Sequence, residues 1–345
     1  MVLDSVLPDT TLVHVVLVLF ATVCIWFGSG WLEESADRLA TYYGLPAVVQ
    51  GSVVVAVGSS FPELASVVVA ALSGVFDMGV GAIVGSAIFN ILVIPALSGL
   101  TVSEDLQTNR TVVYKEAQFY MIAVSALVVT LALAVIYYPA STTSQLAGTV
   151  TRPLAAIPLF LYGLYLFIQW QDVADSDTVA DTSGGAVGRS WGMLLGGLAI
   201  ILVGVELLIG SVESLGQTFG IPEFLAGVTI LAAATSLPDL LVSVRSAQDG
   251  NSVTSLGNVL GSNTFDLLVA IPLGVLIAGS TAVNFSAAVP MLGVLTLATV
   301  LLFALLRTDL SLTTAEAWLL LVAYLLFVAW VVAEALGLAH LLKGA

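Results

Sequence analysis

Two copies of one polar phrase lie inside strongly apolar segments of this chain. The first copy is Gly58-Ser59-Ser60-Phe61-Pro62-Glu63, and the second is Ala234-Thr235-Ser236-Leu237-Pro238-Asp239. Each copy sets two hydroxyl side chains before a proline and a carboxylate directly after it. A carboxylate at the centre of a membrane costs about 2.5–3.5 kcal/mol on insertion scales, so its occurrence in both copies indicates a function. Hydroxyl and carboxylate oxygens together are suited to binding cations.

A second pair of phrases follows the first pair at a fixed distance. Gly85-Ser86-Ala87-Ile88-Phe89-Asn90 begins 22 positions after Glu63, and Gly261-Ser262-Asn263-Thr264-Phe265-Asp266 begins 22 positions after Asp239 (85 minus 63 and 261 minus 239). The two copies are therefore offset by 176 positions (239 minus 63 and 266 minus 90). This pattern indicates one ion-binding site built from two related halves.

The side chains in these phrases favour hard cations. Each phrase contains an oxygen-bearing pair at spacing i, i+4, which places both members on one face of a helix. These pairs are Ser59 with Glu63, Ser86 with Asn90, Thr235 with Asp239, and Ser262 with Asp266. A proline inside a helix removes a backbone hydrogen bond, so we expect carbonyls such as those of Ala56 and Ala232 to become available as ligands. Because the phrases contain no His or Cys, zinc and copper are disfavoured as the preferred ions.

The surrounding composition is typical of a protein that crosses a membrane many times. Of 345 residues, 59% are hydrophobic and 9% are charged, and the mean hydropathy is +1.09. A membrane span needs about 20 apolar residues. The segments that meet this length are 10–32, 45–72, 77–100, 117–138, 153–171, 190–212, 221–245, 254–279, 286–306 and 313–340. We therefore predict an all-α, multi-pass protein of the cell membrane with ten transmembrane helices.

The orientation in the membrane is predicted from the basic residues. Residues 1–8 lack the basic region and cleavage site of a secretory signal, so the first apolar run is expected to remain as a helix. Basic residues in short loops favour the cytoplasm. With the N-terminus outside, Arg152 and Lys343 face out, and the six other basic residues face the cytoplasm. These six are Arg38, Arg110, Lys115, Arg189, Arg245 and Arg307. We therefore predict that the N-terminus lies outside.

The 176-residue repeat extends beyond the polar phrases. The matching positions are Gly28, Ser35, Leu39, Gly44, Pro46 and Gly51 with Gly204, Ser211, Leu215, Gly220, Pro222 and Gly227. Five spans in each half force the second half to enter from the opposite side, so the halves are predicted to be inverted repeats. Secondary transporters with such repeats bind their ions near the midplane. We predict a first five-helix repeat over 1–171, an acidic cytoplasmic linker over 172–189 and a second five-helix repeat over 190–345.

The phrases, their order and the repeated halves resemble the alpha repeats of the sodium/calcium exchanger family, in its prokaryotic form, within the calcium/cation antiporter superfamily. The resemblance covers nearly the whole chain and implies that Glu63 and Asp239 coordinate calcium. The Ser59 and Thr235 hydroxyls are further candidates for calcium, beside the Ala56 and Ala232 backbone. The sodium ligands that the resemblance implies are Ser59, Ser60, Glu63, Ser86, Asn90, Thr235, Ser236, Asp239, Ser262 and Asp266.

We accordingly expect a secondary active antiporter that exchanges sodium for calcium by alternating access, and not an enzyme. When ionised, Glu63, Asp239 and Asp266 carry a total charge of about −3, which three sodium ions would neutralise and one calcium ion would not. The hypothesis is therefore an electrogenic exchange of about three sodium ions for one calcium ion. By the same resemblance, alternating access comes from rocking of helices 1 and 6 against the remaining helices.

Four alternatives remain open at this stage. A proton/calcium antiporter is disfavoured because its relatives usually have Gly-Asn where this chain has Ser/Thr-Ser. Potassium-dependent sodium/calcium exchangers also carry Asp at the position of Asp266. A cation channel would pass calcium without an opposing sodium gradient. An intramembrane aspartyl protease could use Asp239 and Asp266, but the chain lacks the expected Gly-x-Gly-Asp signature and the protease leaves Glu63 and Asn90 unexplained.

The net charge of −15 and the pI of about 4.1 bear on partners. An acidic surface repels nucleic acid, and the acidic loops resemble those of proteins from salt-loving organisms. The partners we expect are calcium and sodium ions and membrane lipid, with no cofactor, no nucleic acid and no obligatory protein partner. The single cysteine, Cys24, excludes an intramolecular disulfide.

Overall fold

The computed structural model describes residues 10–43, 56–140, 146–173 and 187–339. The repeat positions Gly44, Pro46 and Gly51 therefore lie outside the described residues. So do Lys343 and most of the predicted 172–189 linker.

The described chain is built mainly from long apolar helices. In the first half they are α1 (Thr11–Tyr42), α2 (Ala56–Ser59), α3 (Phe61–Ser73), α4 (Phe76–Thr101), α5 (Val112–Tyr137) and α6 (Arg152–Val173). In the second half they are α7 (Val187–Phe219), α8 (Glu223–Thr235), α9 (Leu237–Gln248), α10 (Ser252–Ala278), α11 (Phe285–Arg307) and α12 (Thr314–Ala335).

Eight of the described helices are long and apolar enough to cross a membrane, and α8 with α9 forms a ninth, bent span. The prediction of ten spans included residues 45–72. Only the later part of that segment, as α2 and α3, falls within the described residues. The other predicted spans coincide with described helices to within a few residues at most ends, although α1 and α7 continue past their apolar runs.

Helical segments of the two halves begin at equivalent positions. The starts of α3 and α9, at Phe61 and Leu237, are 176 positions apart (237 minus 61). The starts of α4 and α10, at Phe76 and Ser252, have the same offset (252 minus 76). The sequence repeat is thus accompanied by a repeat of secondary structure.

Helices α1 and α7 pack along each other in opposite directions. A Cβ added to Gly197 would lie 2.7 Å from the Gly28 carbonyl oxygen, and one added to Gly204 would lie 3.2 Å from the Ala21 carbonyl oxygen. Glycine is needed at Gly197 because the two backbones approach too closely for a side chain. At the far end of α1, the Trp191 indole Nε1 donates a hydrogen bond to the Tyr43 hydroxyl at 3.3 Å.

Four short strands among the described residues depart from the all-α prediction. They form two antiparallel ribbons: β1 (Leu106–Gln107) pairs with β4 (Ser311–Leu312), and β2 (Ala147–Val150) pairs with β3 (Thr281–Asn284). These strands are connectors between helices, where backbone N–H and C=O groups lack helical partners and need others. Each ribbon joins a connector of the first half to a connector of the second half.

Helices α4 and α10 occupy the centre of the helical bundle. In the most apolar window of α4, 94% of residues are buried, and the corresponding value for α10 is 78%, against 17% for α1. The outer helices expose large apolar side chains such as Phe160, Leu297 and Leu326, as expected of a surface that faces lipid. The second polar phrases lie on the two central helices.

Candidate functional site

The first phrase of each half lies at a break between two helices. Helix α2 ends at Ser59 and α3 begins at Phe61. Helix α8 ends at Thr235 and α9 begins at Leu237 with a bend of 45°. In both halves the proline occupies the first turn of the second helix, where its missing N–H costs no helical hydrogen bond. The sequence therefore places the break at the hydroxyl pair and starts a new helix at the carboxylate.

All six oxygen-bearing side chains of the two breaks are buried. None of them is more than 2% exposed. They are Ser59, Ser60, Glu63, Thr235, Ser236 and Asp239. The four side chains of the second phrases, on the central helices, are fully buried as well: Ser86, Asn90, Ser262 and Asp266. A π-helical turn, Asp266–Ala270, begins at the last of these residues, and such turns are frequent at functional sites.

The structure brings the predicted residues of the two halves together. The hydroxyls of Ser59 and Ser262 are 3.1 Å apart, and the Ser236 hydroxyl donates to the Ser86 hydroxyl at 2.7 Å. Each contact joins the first phrase of one half to the second phrase of the other half. The phrases therefore form one site between the halves.

The Asn90 amide makes a third contact between the halves. Its Nδ2 donates to the Asp239 carboxylate at 3.2 Å. A side chain from the second phrase of the first half, on α4, thereby contacts the carboxylate that follows Pro238 in the second half.

Seven buried oxygen atoms at this site accept no hydrogen bond of normal geometry from the described residues. These are Ser60 Oγ, both carboxylate oxygens of Glu63, Asn90 Oδ1, Asp239 Oδ1 and both carboxylate oxygens of Asp266. The hydroxyl-bearing Thr235 lies near Glu63, and Ser60 lies near Asp266. Buried polar atoms are normally satisfied, and unpaired buried charge is costly. A bound cation would supply the missing partner to several of these oxygens at once.

The three carboxylates of the site are electrostatic neighbours. Glu63 interacts with both Asp266 and Asp239, so like charges from the two halves face each other. Among the described residues, however, no three acidic, His or Cys side chains converge closely enough to enclose one metal ion. Any single cation would therefore complete its coordination with hydroxyl, amide or carbonyl oxygens, which are normal ligands for calcium.

The expectation about the Ala232 carbonyl needs correction. This carbonyl is not left without a donor, because it accepts from the Ser236 N–H at 3.0 Å and from the Thr235 hydroxyl at 3.3 Å. The proline at 238 removes the N–H that would have reached the carbonyl four residues earlier, which is that of Ala234. Ala56 lies in α2, and the expectation that its carbonyl binds an ion stays a prediction.

Two further residues of this region lie outside the repeated oxygen-bearing pairs that the sequence marks as ligands. Asn263 is fully buried on α10 and hydrogen-bonds to Asn90. Glu33 on α1 interacts electrostatically with Asp239. The available signal was polarity, since an amide in an apolar helix and an acid within a long helix both need a partner or a function.

Comparison with known proteins identifies relatives over most of the chain. Residues 13–171 and 189–333 match the family described as sodium/calcium exchanger protein. An uncharacterized membrane protein of Methanocaldococcus jannaschii is 28% identical over 278 residues, which cover 79% of this chain and 84% of that protein. The putative antiporter CaxA of Alkalimonas amylolytica is 29% identical over 276 residues, covering 75% of this chain and 82% of the relative.

The fold is shared with a solved structure. The sodium-calcium exchanger NCX_Mj, soaked with 2.5 mM Na+ and 10 mM Sr2+, matches with a TM-score of 0.62 at 22% identity. The match covers 93% of this chain and 99% of that one. A likeness of this extent establishes a multi-pass helical membrane fold.

Proposed function

The chain belongs to the sodium/calcium exchanger protein family, and from this premise we propose that it exchanges sodium for calcium across the membrane by alternating access. The observation that carries the proposal is the set of buried oxygens, contributed by both halves around the two helix breaks, that accept no hydrogen bond of normal geometry from the described residues. Such a set fits dehydrated cations better than it fits any apolar or anionic cargo.

Calcium is proposed to bind at the carboxylates of Glu63 and Asp239. The Ser59 and Thr235 hydroxyls and backbone carbonyls of α2 and α8 complete its shell. The Ala232 carbonyl would have to exchange the Thr235 hydroxyl for the ion, because it already accepts two hydrogen bonds.

Sodium is proposed to use the same two carboxylates, the hydroxyls of both helix breaks and groups of the central helices. The hydroxyls of the breaks are those of Ser59, Ser60, Thr235 and Ser236. The central helices supply the Ser86 and Ser262 hydroxyls, the Asn90 amide oxygen and the Asp266 carboxylate. Because the two ion sets share Glu63 and Asp239, sodium and calcium compete and cross in separate steps. Three carboxylates balance about three sodium ions, so the proposed cycle moves net charge.

Alternating access is proposed to arise from inverted repeats, with α1 and α7 moving against the other helices. Two observations support this. Helices at equivalent repeat positions, α1 and α7, run in opposite directions, as an inverted repeat requires. The two ribbons meanwhile pair the segments that follow α4 and α5 with the segments that follow α11 and α10. This pairing favours these four helices as the part of the molecule that stays fixed while α1 and α7 move.

The test is uptake of radioactive calcium into sodium-loaded proteoliposomes diluted into sodium-free buffer. We expect uptake that depends on the outward sodium gradient. Glu63→Gln should reduce it at least about tenfold, equivalent to about 1.4 kcal/mol, because a charged ligand becomes neutral. Glu104→Gln, which neutralises an exposed acid in a connector, is the matched control and should retain uptake.

Uptake that follows a proton gradient, or that ignores both gradients, would contradict the proposal. The first result would indicate a proton/calcium antiporter and the second a channel. Normal uptake by Glu63→Gln would remove this carboxylate from the site.

Potassium-dependent exchange is a second candidate. It is favoured by a local match to the sodium/potassium/calcium exchanger 1 of Bos taurus, which is 35% identical over 123 residues, or 36% of this chain and 10% of that protein. We expect sodium-driven calcium uptake to continue when choline replaces potassium. If uptake instead requires potassium on the same side as calcium, the second candidate is correct.

A further inference from the structure

Asn90 and Asp266 occupy equivalent positions in the two repeats, but their side chains differ in one respect that matters for ion binding. Both oxygens of an ionised carboxylate can bind a cation, so Asp266 presents an oxygen to the ions whichever of its two terminal atoms faces them. An amide has one oxygen and one NH2 group, and the NH2 group only donates hydrogen bonds. Asn90 can therefore serve as an oxygen ligand only if something fixes which end faces the ions.

The structure contains a hydrogen-bond chain that fixes this orientation. The Asn90 Nδ2 donates to the Asp239 carboxylate at 3.2 Å and to the Asn263 Oδ1 at 3.0 Å. The Asn263 Nδ2 in turn donates to the Ala87 carbonyl at 3.2 Å and to the Tyr120 hydroxyl at 3.4 Å. Each NH2 group thus faces two acceptors, one for each of its protons.

The two ends of the chain make its direction unique. The Ala87 carbonyl only accepts, so the Asn263 atom facing it must be the NH2 nitrogen. The Asn263 oxygen then faces Asn90, so the Asn90 atom that contacts it must be the NH2 nitrogen, which donates the hydrogen bond. That choice agrees with the other end, where an ionised Asp239 only accepts. The Asn90 oxygen is the single remaining group, and it is buried without a hydrogen-bond donor from the described residues.

This support is built in one half only. The repeat equivalent of Asn263 is Ala87 (263 minus 176), which has no polar side chain. The half that uses an amide ligand thus receives an orienting partner from the other half, and the half that uses a carboxylate has alanine at the matching place.

We propose that Asn263 is a positioning residue, which holds the Asn90 amide with its oxygen toward the ion site. The inference rests on the proposed function. It explains why a fully buried polar side chain lies on α10 one position after Ser262. Because Asp239 is itself a proposed ion ligand, its contact with Asn90 changes when an ion binds. The contact from Asn263 does not, and it keeps Asn90 oriented in both conditions.

A double-mutant cycle on the purified, full-length protein tests this role. The readout is the sodium concentration that gives half of the maximal stabilisation against thermal unfolding, because an ion that binds the folded state raises its stability. Asn90→Ala and Asn263→Ala should each raise this concentration about tenfold or more, as is usual when a supporting partner of a metal ligand is lost. The double variant should raise it no further than Asn90→Ala alone, since Asn263 acts through Asn90.

Asn258→Ala is the matched control. Asn258 lies on the same helix, and among the described residues its side chain donates a hydrogen bond to Ser243 only. It should leave the sodium response unchanged. Thermal unfolding without ions reports whether each variant folds, and Asn263→Val replaces Asn263→Ala if the smaller side chain prevents folding.

A double variant whose effect is the product of the two single effects would overturn the positioning role, as would an Asn90→Ala protein with an unchanged sodium response. Failure of the proposed function is separately visible in the unmodified protein. If that protein is stabilised by neither sodium nor calcium and shows no sodium-driven uptake, the exchange function and the ligand role of Asn90 both fall.

Discussion

Asp266 differs from the other two carboxylates of the site in its surroundings. It lies on a central helix at the start of a π-helical turn, whereas Glu63 and Asp239 lie in the first turns of helices that follow a break. Its counterpart in the first half is the neutral Asn90. The third carboxylate of the site is therefore supplied by one half only, and in the proposed cycle its charge, when ionised, accounts for the third sodium ion.

Asp266→Asn is expected to remove the net charge movement of the cycle. With about −2 remaining at the site, two sodium ions would balance one calcium ion. Calcium uptake at potentials imposed with potassium and valinomycin measures this: uptake should respond to potential in the unmodified protein and become insensitive in the variant. Asp309→Asn, at an exposed connector, should keep the response. An unmodified protein whose uptake ignores the potential would refute the three-to-one ratio.

The residues that carry charge and hydroxyl groups could be predicted from the sequence, because a carboxylate in an apolar segment is unusual whatever the fold. The contacts of Asn90 and Asn263 could not be predicted. They join residues 149 and 173 positions apart and depend on how α4 packs against α9 and α10. The expectation for the Ala232 carbonyl was wrong because Pro238 removes the N–H that would reach Ala234, and the Ser236 N–H still donates to Ala232.

At the scale of elements, most helix boundaries followed from hydropathy to within a few residues, since a span must be apolar over its full membrane length. The ends of α1 and α7 extend further. The π-helical turns Gly227–Leu231 and Asp266–Ala270 could not be predicted from hydropathy. An extra residue in a helical turn leaves no periodic trace in a segment that is apolar on every side. The strands were also missed, because two or four residues are too few to display alternation.

The α1–α7 contact gives a prediction about one helix pair. Gly197→Ala would place a Cβ 2.7 Å from the Gly28 carbonyl oxygen, and overpacking of this kind costs about 1–3 kcal/mol. We expect a lower thermal unfolding temperature and slower calcium uptake, since α1 and α7 are the proposed moving helices.

The control is Gly192→Ala on the same helix, where an added Cβ meets no described atom within 4 Å. It should behave like the unmodified protein in both assays. If Gly197→Ala lowers the unfolding temperature but leaves the transport rate unchanged, the α1–α7 contact is structural only.

At the scale of the whole molecule, helix α5 separates the two ribbons. It runs from shortly after β1 to shortly before β2, and its 26 residues span about 39 Å at 1.5 Å each, enough to cross a membrane. We therefore expect the ribbons to lie at opposite faces of the bilayer.

The predicted orientation assigns a side to each ribbon. In a Cys24→Ser background, Glu104→Cys near β1 should react with a membrane-impermeant thiol reagent only from the cytoplasm. Leu146→Cys, next to β2, should react from outside intact cells. Both positions are exposed, so accessibility within the protein does not limit labelling. The reverse pattern would place the N-terminus in the cytoplasm.

The ribbons also determine how the two halves can exist apart. Each half contributes one strand to each face, and each strand has its hydrogen-bonding partner in the other half. A half expressed alone would leave the backbone groups of both of its strands without these partners. We therefore expect the halves to depend on each other like the subunits of an obligate heterodimer: co-expressed halves should be recovered as a pair, and a single half should not accumulate.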